Sequence, residues 1–211
     1  KEKLEQNYLN YSYVKLIPDI LTGADQLNQV FFDKIDEIEN KIGFPCFIKA
    51  SNSGSSFGVY KAYDKEEIIN CINSAFEIDN KVLVESFIDG REFTVTIIND
   101  VCYPPIEIIT QNEFYDYDAK YISDDTTLSE PKLSATELDE IQKMSIDAYK
   151  ALNCRVWGRV DLMQCKNTRK FYVIEINTVP GMTDHSCVPK SGGMLGLSYG
   201  EIVKKIIDAS I

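Results

Sequence analysis

The sequence lacks several features that would assign it at once to a familiar class of protein. Only one histidine, His185, occurs among 211 residues, so a Ser-His-Asp triad has a single candidate base and no local motif to support it. No apolar run approaches the roughly 20 residues that a membrane-spanning helix needs, and the first ten residues are polar. We therefore expect neither a signal peptide nor a membrane partner.

Basic residues are scarce: 22 lysines and arginines face 33 acidic residues, which gives a net charge of −11. A protein that binds nucleic acid usually has the opposite balance, because phosphate contacts need lysine and arginine. We expect no nucleic-acid partner and attribute the acidic excess to solubility. A nucleotide is not excluded, since its phosphates need only a few well-placed cations and a metal.

The six cysteines form no C-x-x-C pair. Several of them lie among apolar neighbours, where a free cysteine behaves as a small hydrophobic residue. A disulfide scaffold or a zinc site is therefore not expected, and a reducing, cytoplasmic location fits better.

The pattern of apolar residues predicts an α+β fold with two small sheet-plus-helix units, residues 1–90 and 91–211. Helices are predicted where apolar residues recur at helical spacing, and Asp64 with Glu67 suggests a capping box. Asn99-Asp100 separates two segments that suit a hairpin. The predicted helices are 24–42, 65–76, 134–152 and 199–209, and the predicted strands are Cys46–Ala50, 59–63, 81–87, 92–98, 101–109, 155–164 and 170–177.

Lys49 ends a predicted strand and is followed by the small-residue loop 51–58. Such a loop suits a polyphosphate, because backbone N–H groups can approach closely and the lysine adds a point charge. It is not a Walker A loop, since no G-K-[ST] occurs. A plain hairpin turn between two strands explains the pattern equally well.

Two predicted strands carry polar residues at alternate positions, Arg159 and Asp161 on one and Glu175 and Asn177 on the other. Residues two apart share a strand face, so the four groups converge if the strands pair as antiparallel neighbours. Two carboxylates and an amide oxygen are the hard ligands that Mg²⁺ accepts, while phosphate and water complete its shell. The alternative is a solvated strand face with a surface ion pair.

Residues 110–132 show no periodicity and are rich in aspartate, tyrosine and serine. The aromatic residues of the segment FYDYDAKY (114–121) could pin the loop to the surface. A lid that closes over a site would need the same anchors.

Together these segments resemble the D-alanine–D-alanine ligases of the ATP-grasp superfamily. The stretches that carry the resemblance lie in order over about 140 residues: FIKASNSGSS (47–56), VESFIDGREFTV (84–95), FYDYDAKY (114–121), GRVD (158–161) and EINTVPGMTDHS (175–186). The last is the most specific of them. The resemblance implies an ATP-grasp fold, in which two sheet-plus-helix subdomains clasp ATP between them.

Carried over position by position, the resemblance implies a set of nucleotide contacts. Lys49 contacts the phosphates under the cover of the 51–58 loop, which includes Ser56. Glu85 reads the adenine amino group and Glu92 holds the ribose. The remaining implied contacts are the backbone of Ser86 to Ile88 at the ring edge, Phe87 and Met163 on the two faces of the base, and Lys3 near the start of the central domain.

The resemblance also implies metal, catalytic and substrate groups. Asp161, Glu175 and Asn177 hold two Mg²⁺ ions, for which Mn²⁺ can substitute. Arg159 and the Gly181 N–H stabilise an oxyanion, Lys120 assists at the transferring phosphate, and Ser55 and Tyr121 border the amino acids. Ser186 and Cys187 bind the carboxylate of the second D-alanine, although position 187 is more often leucine in the family.

The implied activity is the ATP-dependent joining of two D-alanines through an acyl phosphate for peptidoglycan synthesis, in a full-length enzyme that is a homodimer. The family has a further domain in front, so we expect this chain by itself to bind Mg-ATP but to make little dipeptide. Two alternatives remain: a ligase that uses D-lactate or D-serine, and a nucleotide-binding module without catalysis. Tyr121 favours D-alanine, because phenylalanine accompanies the lactate enzymes of the family.

Overall fold

The computed structural model describes residues 13–16, 27–54, 56–110 and 126–211, with side chains from residue 33 onward. These residues form two compact units that divide after Phe87. The first unit comprises the described residues up to Phe87, and the second begins at Ile88 and includes 126–211. Each unit combines an antiparallel sheet with helices, which confirms the predicted α+β class.

The first unit is a four-stranded sheet covered by two helices. Its strands are β1 (Tyr13–Leu16), β2 (Cys46–Ala50), β3 (Val59–Ala62) and β4 (Val82–Ser86), in the order β1-β4-β2-β3, and its helices are α1 (Leu27–Lys41) and α2 (Lys65–Ile78). The core contains alternate residues of the strands, such as Ile48 and Val84, and one face of each helix, such as Ile38 and Ile72. The apolar spacing read from the sequence therefore marks the buried faces.

Asp64 is the N-cap of helix α2, as predicted, and its side chain accepts hydrogen bonds from the Glu66 and Glu67 N–H groups. The predicted capping box is wrong in one respect. Glu67 accepts from the N–H of Tyr63, at 2.9 Å, and thus contacts the residue before the cap.

The second unit is a six-stranded antiparallel sheet with three helices. Its strands are β5 (Gly90–Ile98), β6 (Val101–Cys102), β7 (Ile106–Ile109), β8 (Thr127–Ser129), β9 (Trp157–Cys165) and β10 (Phe171–Asn177), ordered β10-β9-β5-β7-β8 with β6 beside β5. Its helices are α3 (Ala135–Ala151), α4 (Cys187–Met194) and α5 (Tyr199–Ser210). The long strand β5 lies between β9 and β7, so β5 and β9 form the centre of this sheet.

The predicted hairpin at Asn99-Asp100 is confirmed, since β5 and β6 pair across it. Both turn residues have positive φ, 51° and 59°, as tight hairpin turns require. The following segment, predicted as one strand over 101–109, is two strands. Pro104 and Pro105 lie between them, and proline has no N–H for the ladder.

Three elements were not predicted: β1, β8 and helix α4. Helix α4 lies in a glycine- and serine-rich stretch for which no element is predicted, and β8 lies within residues 110–132, which show no periodicity. None of the helices in the described part of the chain is long and apolar enough to span a bilayer. All six cysteines are free thiols.

Candidate functional site

The predicted pairing of the two polar strands is confirmed. β10 lies antiparallel to β9, with Glu175 opposite Asp161 and Asn177 opposite Arg159. Side chains directly opposite each other in a ladder share one face of the sheet. The four polar groups therefore converge on one face, as the alternation predicts, while Val160 lies buried in β9 between Arg159 and Asp161.

Asp161 is the centre of this cluster and is only 7% exposed. Arg159 donates to it twice, from Nε to Oδ1 at 2.9 Å and from Nη2 to Oδ2 at 2.8 Å. Thr94 Oγ1 donates to Oδ1 at 2.6 Å, and Asn177 Nδ2 donates to Oδ2 at 2.9 Å. The arrangement is a buried carboxylate that is fully hydrogen-bonded, which does not fit a solvated strand face.

The Arg159 guanidinium is held in its charged form by this carboxylate. Burial favours the neutral form, but the Asp161 charge and its hydrogen bonds outweigh burial and raise the pKa of Arg159 above its usual value. Glu175 adds to the negative field. The cluster thus places a permanent cation beside two carboxylates, a composition suited to binding phosphate together with a divalent metal.

The oxygen donors of the cluster match the hard ligands that Mg²⁺ accepts. Asp161, Glu175 and Asn177 offer two carboxylates and one amide oxygen, and Glu175 is exposed. Within the described ranges, no group of three or more His, Cys, Asp or Glu side chains could hold a metal. Mg²⁺ characteristically uses one or two carboxylates together with substrate phosphates. The set therefore fits a Mg²⁺ ion bound together with nucleotide phosphates better than an ion held by protein ligands alone.

Strand β9 is fixed at both ends. At Gly158, just before Arg159, an added Cβ would lie 2.8 Å from Tyr149 Cε2 of α3, so only glycine permits this close packing. Near the other end, the buried amide of Gln164 donates to Glu137 at 2.9 Å and accepts from Arg91 at 3.4 Å. These contacts limit the movement of the strand that carries Arg159 and Asp161.

The turn after β10 leads into helix α4 and carries Gly181, Ser186 and Cys187. Ser186 occupies the N-cap position but makes no side-chain cap bond; its Oγ instead accepts from the Thr183 N–H at 2.9 Å. An added Cβ at Gly181 would lie 2.9 Å from that Oγ. The turn therefore packs tightly against Ser186, and the side chain of Ser186 leaves the helix N–H groups uncapped.

Cys187, the first residue of α4, is 6% exposed. Burial raises the pKa of its thiol to about 11, against a lowering by the Arg159 charge. This electrostatic interaction indicates that Cys187, predicted to bind the second substrate, lies near Arg159, predicted to stabilise the oxyanion. α4 itself is held by a hydrogen bond from Ser191 Oγ to the Pro104 carbonyl at 2.7 Å.

In the first unit, Lys49 forms an ion pair with Glu85, with 2.8 Å between Nζ and Oε2. The resemblance implies separate roles for these two residues, and their contact was not predicted. The 51–58 loop is closed at its base by Ala50 N to Gly58 O at 3.0 Å. Among the described residues of this loop, Ser56 and Gly58 have left-handed backbone, with φ of 60° and 71°.

An aromatic cluster lies on the first unit beside the Lys49–Glu85 pair. Phe87 packs edge-to-face against Phe47, with 5.6 Å between ring centroids, and the Lys61 ammonium lies 3.7 Å from the Phe87 centroid. Sequence reasoning singled out Phe87 but missed Lys61, which has no motif of its own. In the second unit, Glu92 lies opposite Met163 on β5 and β9. Ser86, in the first unit, and Ile88, in the second, are both partly exposed.

Four of the predicted site residues, Lys3, Ser55, Lys120 and Tyr121, lie outside the described residues. Thr94, which sequence reasoning also missed, could have been found only by aligning β5 with β9. Its signal is the alternation of Glu92, Thr94 and Thr96 along one face of β5, opposite Met163, Asp161 and Arg159.

The chain matches the family model described as D-ala D-ala ligase C-terminus over residues 19–208. It is 44% identical over 192 residues to the D-alanine–D-alanine ligase of Marinomonas sp. (strain MWYL1), covering 90% of this chain and 58% of that protein. The match to the Haemophilus ducreyi ligase likewise covers 58% of its length. The chain thus spans less than two thirds of the length of these curated relatives.

Two solved structures resemble the fold. One is the D-alanine–D-alanine ligase from Bacillus anthracis complexed with ATP, with a TM-score of 0.77 and 32% identity, covering 99% of this chain and 63% of that one. The other is the VanG D-Ala:D-Ser ligase from Enterococcus faecalis, with a TM-score of 0.84 and 27% identity, covering 100% of this chain and 60% of that one. The predicted ATP-grasp fold is thereby confirmed.

Proposed function

Since the chain belongs to the D-ala D-ala ligase C-terminus family, we propose that it carries the nucleotide- and metal-binding groups of an ATP-dependent ligase that joins two D-alanines. The observation that carries the proposal is the Asp161 cluster. A buried carboxylate, a second carboxylate opposite it and a charged arginine share one sheet face. That composition is expected where a metal-bound phosphoryl group is transferred.

Asp161, Glu175 and Asn177 are the proposed metal ligands, for two Mg²⁺ ions or for Mn²⁺ in their place. When bound, Mg²⁺ neutralises charge on the phosphate oxygens. Asn177 has both a donor and an acceptor on its amide. It donates to Asp161 in the present arrangement and offers its oxygen to a cation once the amide turns over.

The proposed nucleotide contacts follow the motifs. Lys49 contacts the phosphates and Glu85 the adenine amino group, and their direct ion pair supports placing both at one ligand. The loop containing Ser55 and Ser56 covers the phosphates. The other proposed contacts are Lys3, the backbone of Ser86 to Ile88, the Phe87 and Met163 side chains at the base, and Glu92 at the ribose.

In the proposed reaction, the carboxylate of the first D-alanine attacks the γ-phosphate of ATP, which gives an acyl phosphate and ADP. The amine of the second D-alanine then attacks the acyl carbon, and phosphate leaves. Arg159, kept charged by Asp161, and the Gly181 N–H stabilise the oxyanion of the tetrahedral adduct. Lys120 assists at the phosphoryl group, and Ser55 and Tyr121 border the amino acids.

Ser186 and Cys187 are proposed to bind the carboxylate of the second D-alanine. The uncapped N-terminus of α4 supports this role, because helix N–H groups attract anions. Position 187 contributes its backbone N–H, so a cysteine there is compatible with the role. Tyr121 supports D-alanine as the second substrate, whereas D-serine is used by the E. faecalis enzyme as named.

We further propose the 1–90 and 91–211 subdomain division, a cytoplasmic location where ATP is available, a role in peptidoglycan synthesis, and a homodimer for the full-length enzyme. These rest on the family resemblance and on the six free thiols. ATP and D-alanine are the proposed small-molecule substrates.

Titration of Mg-ADP followed by D-alanine into this chain, by calorimetry and thermal shift, tests the proposal. We expect Mg-ADP to bind, and D-alanine to stabilise the Mg-ADP complex more than L-alanine, D-serine or D-lactate does. Binding of Mg-ADP with no preference among the four would leave a nucleotide-binding module. A preference for D-serine or D-lactate would identify the corresponding ligase.

A further inference from the structure

Thr94 lies in the middle of β5, directly opposite Asp161 of β9, and is 1% exposed. Its hydroxyl donates to Asp161 Oδ1 at 2.6 Å, the shortest of the four hydrogen bonds to that carboxylate. A hydroxyl bonded to an ionised carboxylate makes a stronger hydrogen bond than one between neutral groups. No motif assigned a role to this residue.

The two oxygens of Asp161 are held from opposite sides. Oδ1 accepts a hydrogen bond from Thr94 of β5, the strand on one side of β9. Oδ2 accepts a hydrogen bond from Asn177 of β10, the strand on the other side. Glu175, also on β10, lies opposite Asp161. The carboxylate is thus oriented so that Oδ2 faces the strand that carries the other two proposed metal ligands.

We propose that Thr94 is a positioning residue for the metal site: its buried hydroxyl fixes the rotation of the Asp161 carboxylate and thereby sets the affinity of the site for a divalent cation. The inference rests on the proposed function, since it takes Asp161 to be a metal ligand. The terminal torsion of an aspartate has a broad energy profile. The Asn177 bond to Oδ2 is lost when the Asn177 amide rotates to offer its oxygen to a cation, so the Thr94 bond is then the anchor that remains from another strand. Without it the carboxylate can turn away from the cation.

Partners of this kind, which orient a metal ligand without touching the metal, commonly change metal affinity about 10- to 100-fold when removed. Arg159 also contacts Oδ1 but cannot substitute for Thr94. It belongs to the same strand as Asp161 and bonds both oxygens, so it follows the carboxylate when the latter rotates. Thr94 is on a separate strand and gives a fixed reference point.

Thr96 provides a matched comparison. It lies two residues along the same face of β5, opposite Arg159, and is also 1% exposed. Its Oγ1 has no hydrogen-bond partner among the described residues. Thr96→Val and Thr94→Val therefore make the same isosteric change at equal burial, and only the latter removes a bond to Asp161.

The test is calorimetric titration of ADP into the wild-type chain and the Thr94→Val, Thr94→Ser and Thr96→Val variants, each over a range of Mg²⁺ concentrations. We expect Thr94→Val to raise about tenfold the Mg²⁺ concentration that gives half of the increase in ADP affinity. The affinity for ADP without metal should stay unchanged. Thr94→Ser, which keeps the hydroxyl, should restore most of the affinity. Thr96→Val should behave as wild type.

Equal Mg²⁺ dependence in wild type and Thr94→Val would overturn this inference and leave the proposed function standing. An equal loss in Thr96→Val, or no recovery in Thr94→Ser, would also overturn it, because the effect would then come from packing. If the wild-type chain bound ADP without any Mg²⁺ dependence, the proposed metal site itself would be wrong. Thermal unfolding of each variant confirms that the compared proteins are folded.

Discussion

The Lys49 ammonium lies 2.8 Å from the Glu85 carboxylate, with the two side chains 25% and 3% exposed. Lys49 lies near the end of β2, just before the proposed phosphate loop, and Glu85 belongs to the segment proposed to bind adenine. One ion pair therefore joins the two ends of the proposed nucleotide site. Because the two residues stabilise each other but differ in burial, we expect substitutions at Lys49 and Glu85 to lower the stability of the fold by different amounts.

Lys49→Met should destabilise the fold more than Glu85→Gln does. Removing the lysine leaves a nearly buried carboxylate without the Lys49 charge, which costs up to about 3 kcal/mol. Removing the carboxylate leaves a lysine that is a quarter exposed and can turn toward water. Urea unfolding of both variants measures the difference, and equal or reversed losses would contradict the burial argument.

Glu85→Ala should reduce the preference for ATP over GTP by roughly tenfold or more. A site that hydrogen-bonds an amino group rejects analogues that lack it, since its own polar group is left unpaired. Lys49→Met is the matched control, because it breaks the same ion pair but keeps Glu85. It should weaken ATP and GTP binding by similar factors; an unchanged ATP preference in Glu85→Ala would remove the adenine role.

Thr96→Val should stabilise the chain by roughly 1 kcal/mol. The Thr96 hydroxyl is buried and has no hydrogen-bond partner among the described residues, so an apolar group of equal shape removes an unsatisfied polar atom. The free energy of unfolding in urea measures this. A destabilised Thr96→Val would mean that the hydroxyl has a partner such as an ordered water.

Stability should fall in acid partly through Glu137. Hydrogen bonds from the Ser134 backbone and from Arg169 lower the pKa of Glu137 from 4.5 to about 2. A carboxylate whose pKa is depressed on folding contributes stability that is complete above the unfolded pKa and is lost as pH falls through the folded pKa.

Glu137→Gln should therefore be less stable than wild type at pH 7, with a gap of about 1 kcal/mol or less because its ion-pair partner Arg169 is half-exposed and solvent screens the pair. The gap should close as pH falls from 4.5 toward 2. Unfolding curves at a series of pH values measure it, and a gap that is constant with pH would contradict this explanation.

The polar strands and the helix caps could be predicted from the sequence because their signals are local. Alternate polar residues at 159 and 161, and at 175 and 177, lie within one strand each, and the observed register brings them together. Ser134 and Glu137, three residues apart, form the capping box at the start of α3. In each case residues a few positions apart determine the geometry.

Helix α4 could not be predicted because tertiary contacts override its composition. Its sequence contains Pro189, Gly192 and Gly193, which are poor helix residues in isolation. At Gly192 an added Cβ would lie 2.3 Å from Ile202 Cδ1 of α5, so this glycine is needed where the helices meet. The Thr94–Asp161 bond was missed for a similar reason, since it joins residues 67 positions apart.

The central claim is that Asp161 is a metal ligand for a bound nucleotide, and the most direct measurement is the Mg²⁺ dependence of ADP affinity in Asp161→Asn. The matched control is Glu107→Gln, which removes a carboxylate from another arginine ion pair of the same sheet, Arg91–Glu107. We predict that Asp161→Asn loses most of the gain in affinity that Mg²⁺ gives wild type, while Glu107→Gln keeps it. Equal Mg²⁺ dependence in all three proteins would contradict the claim.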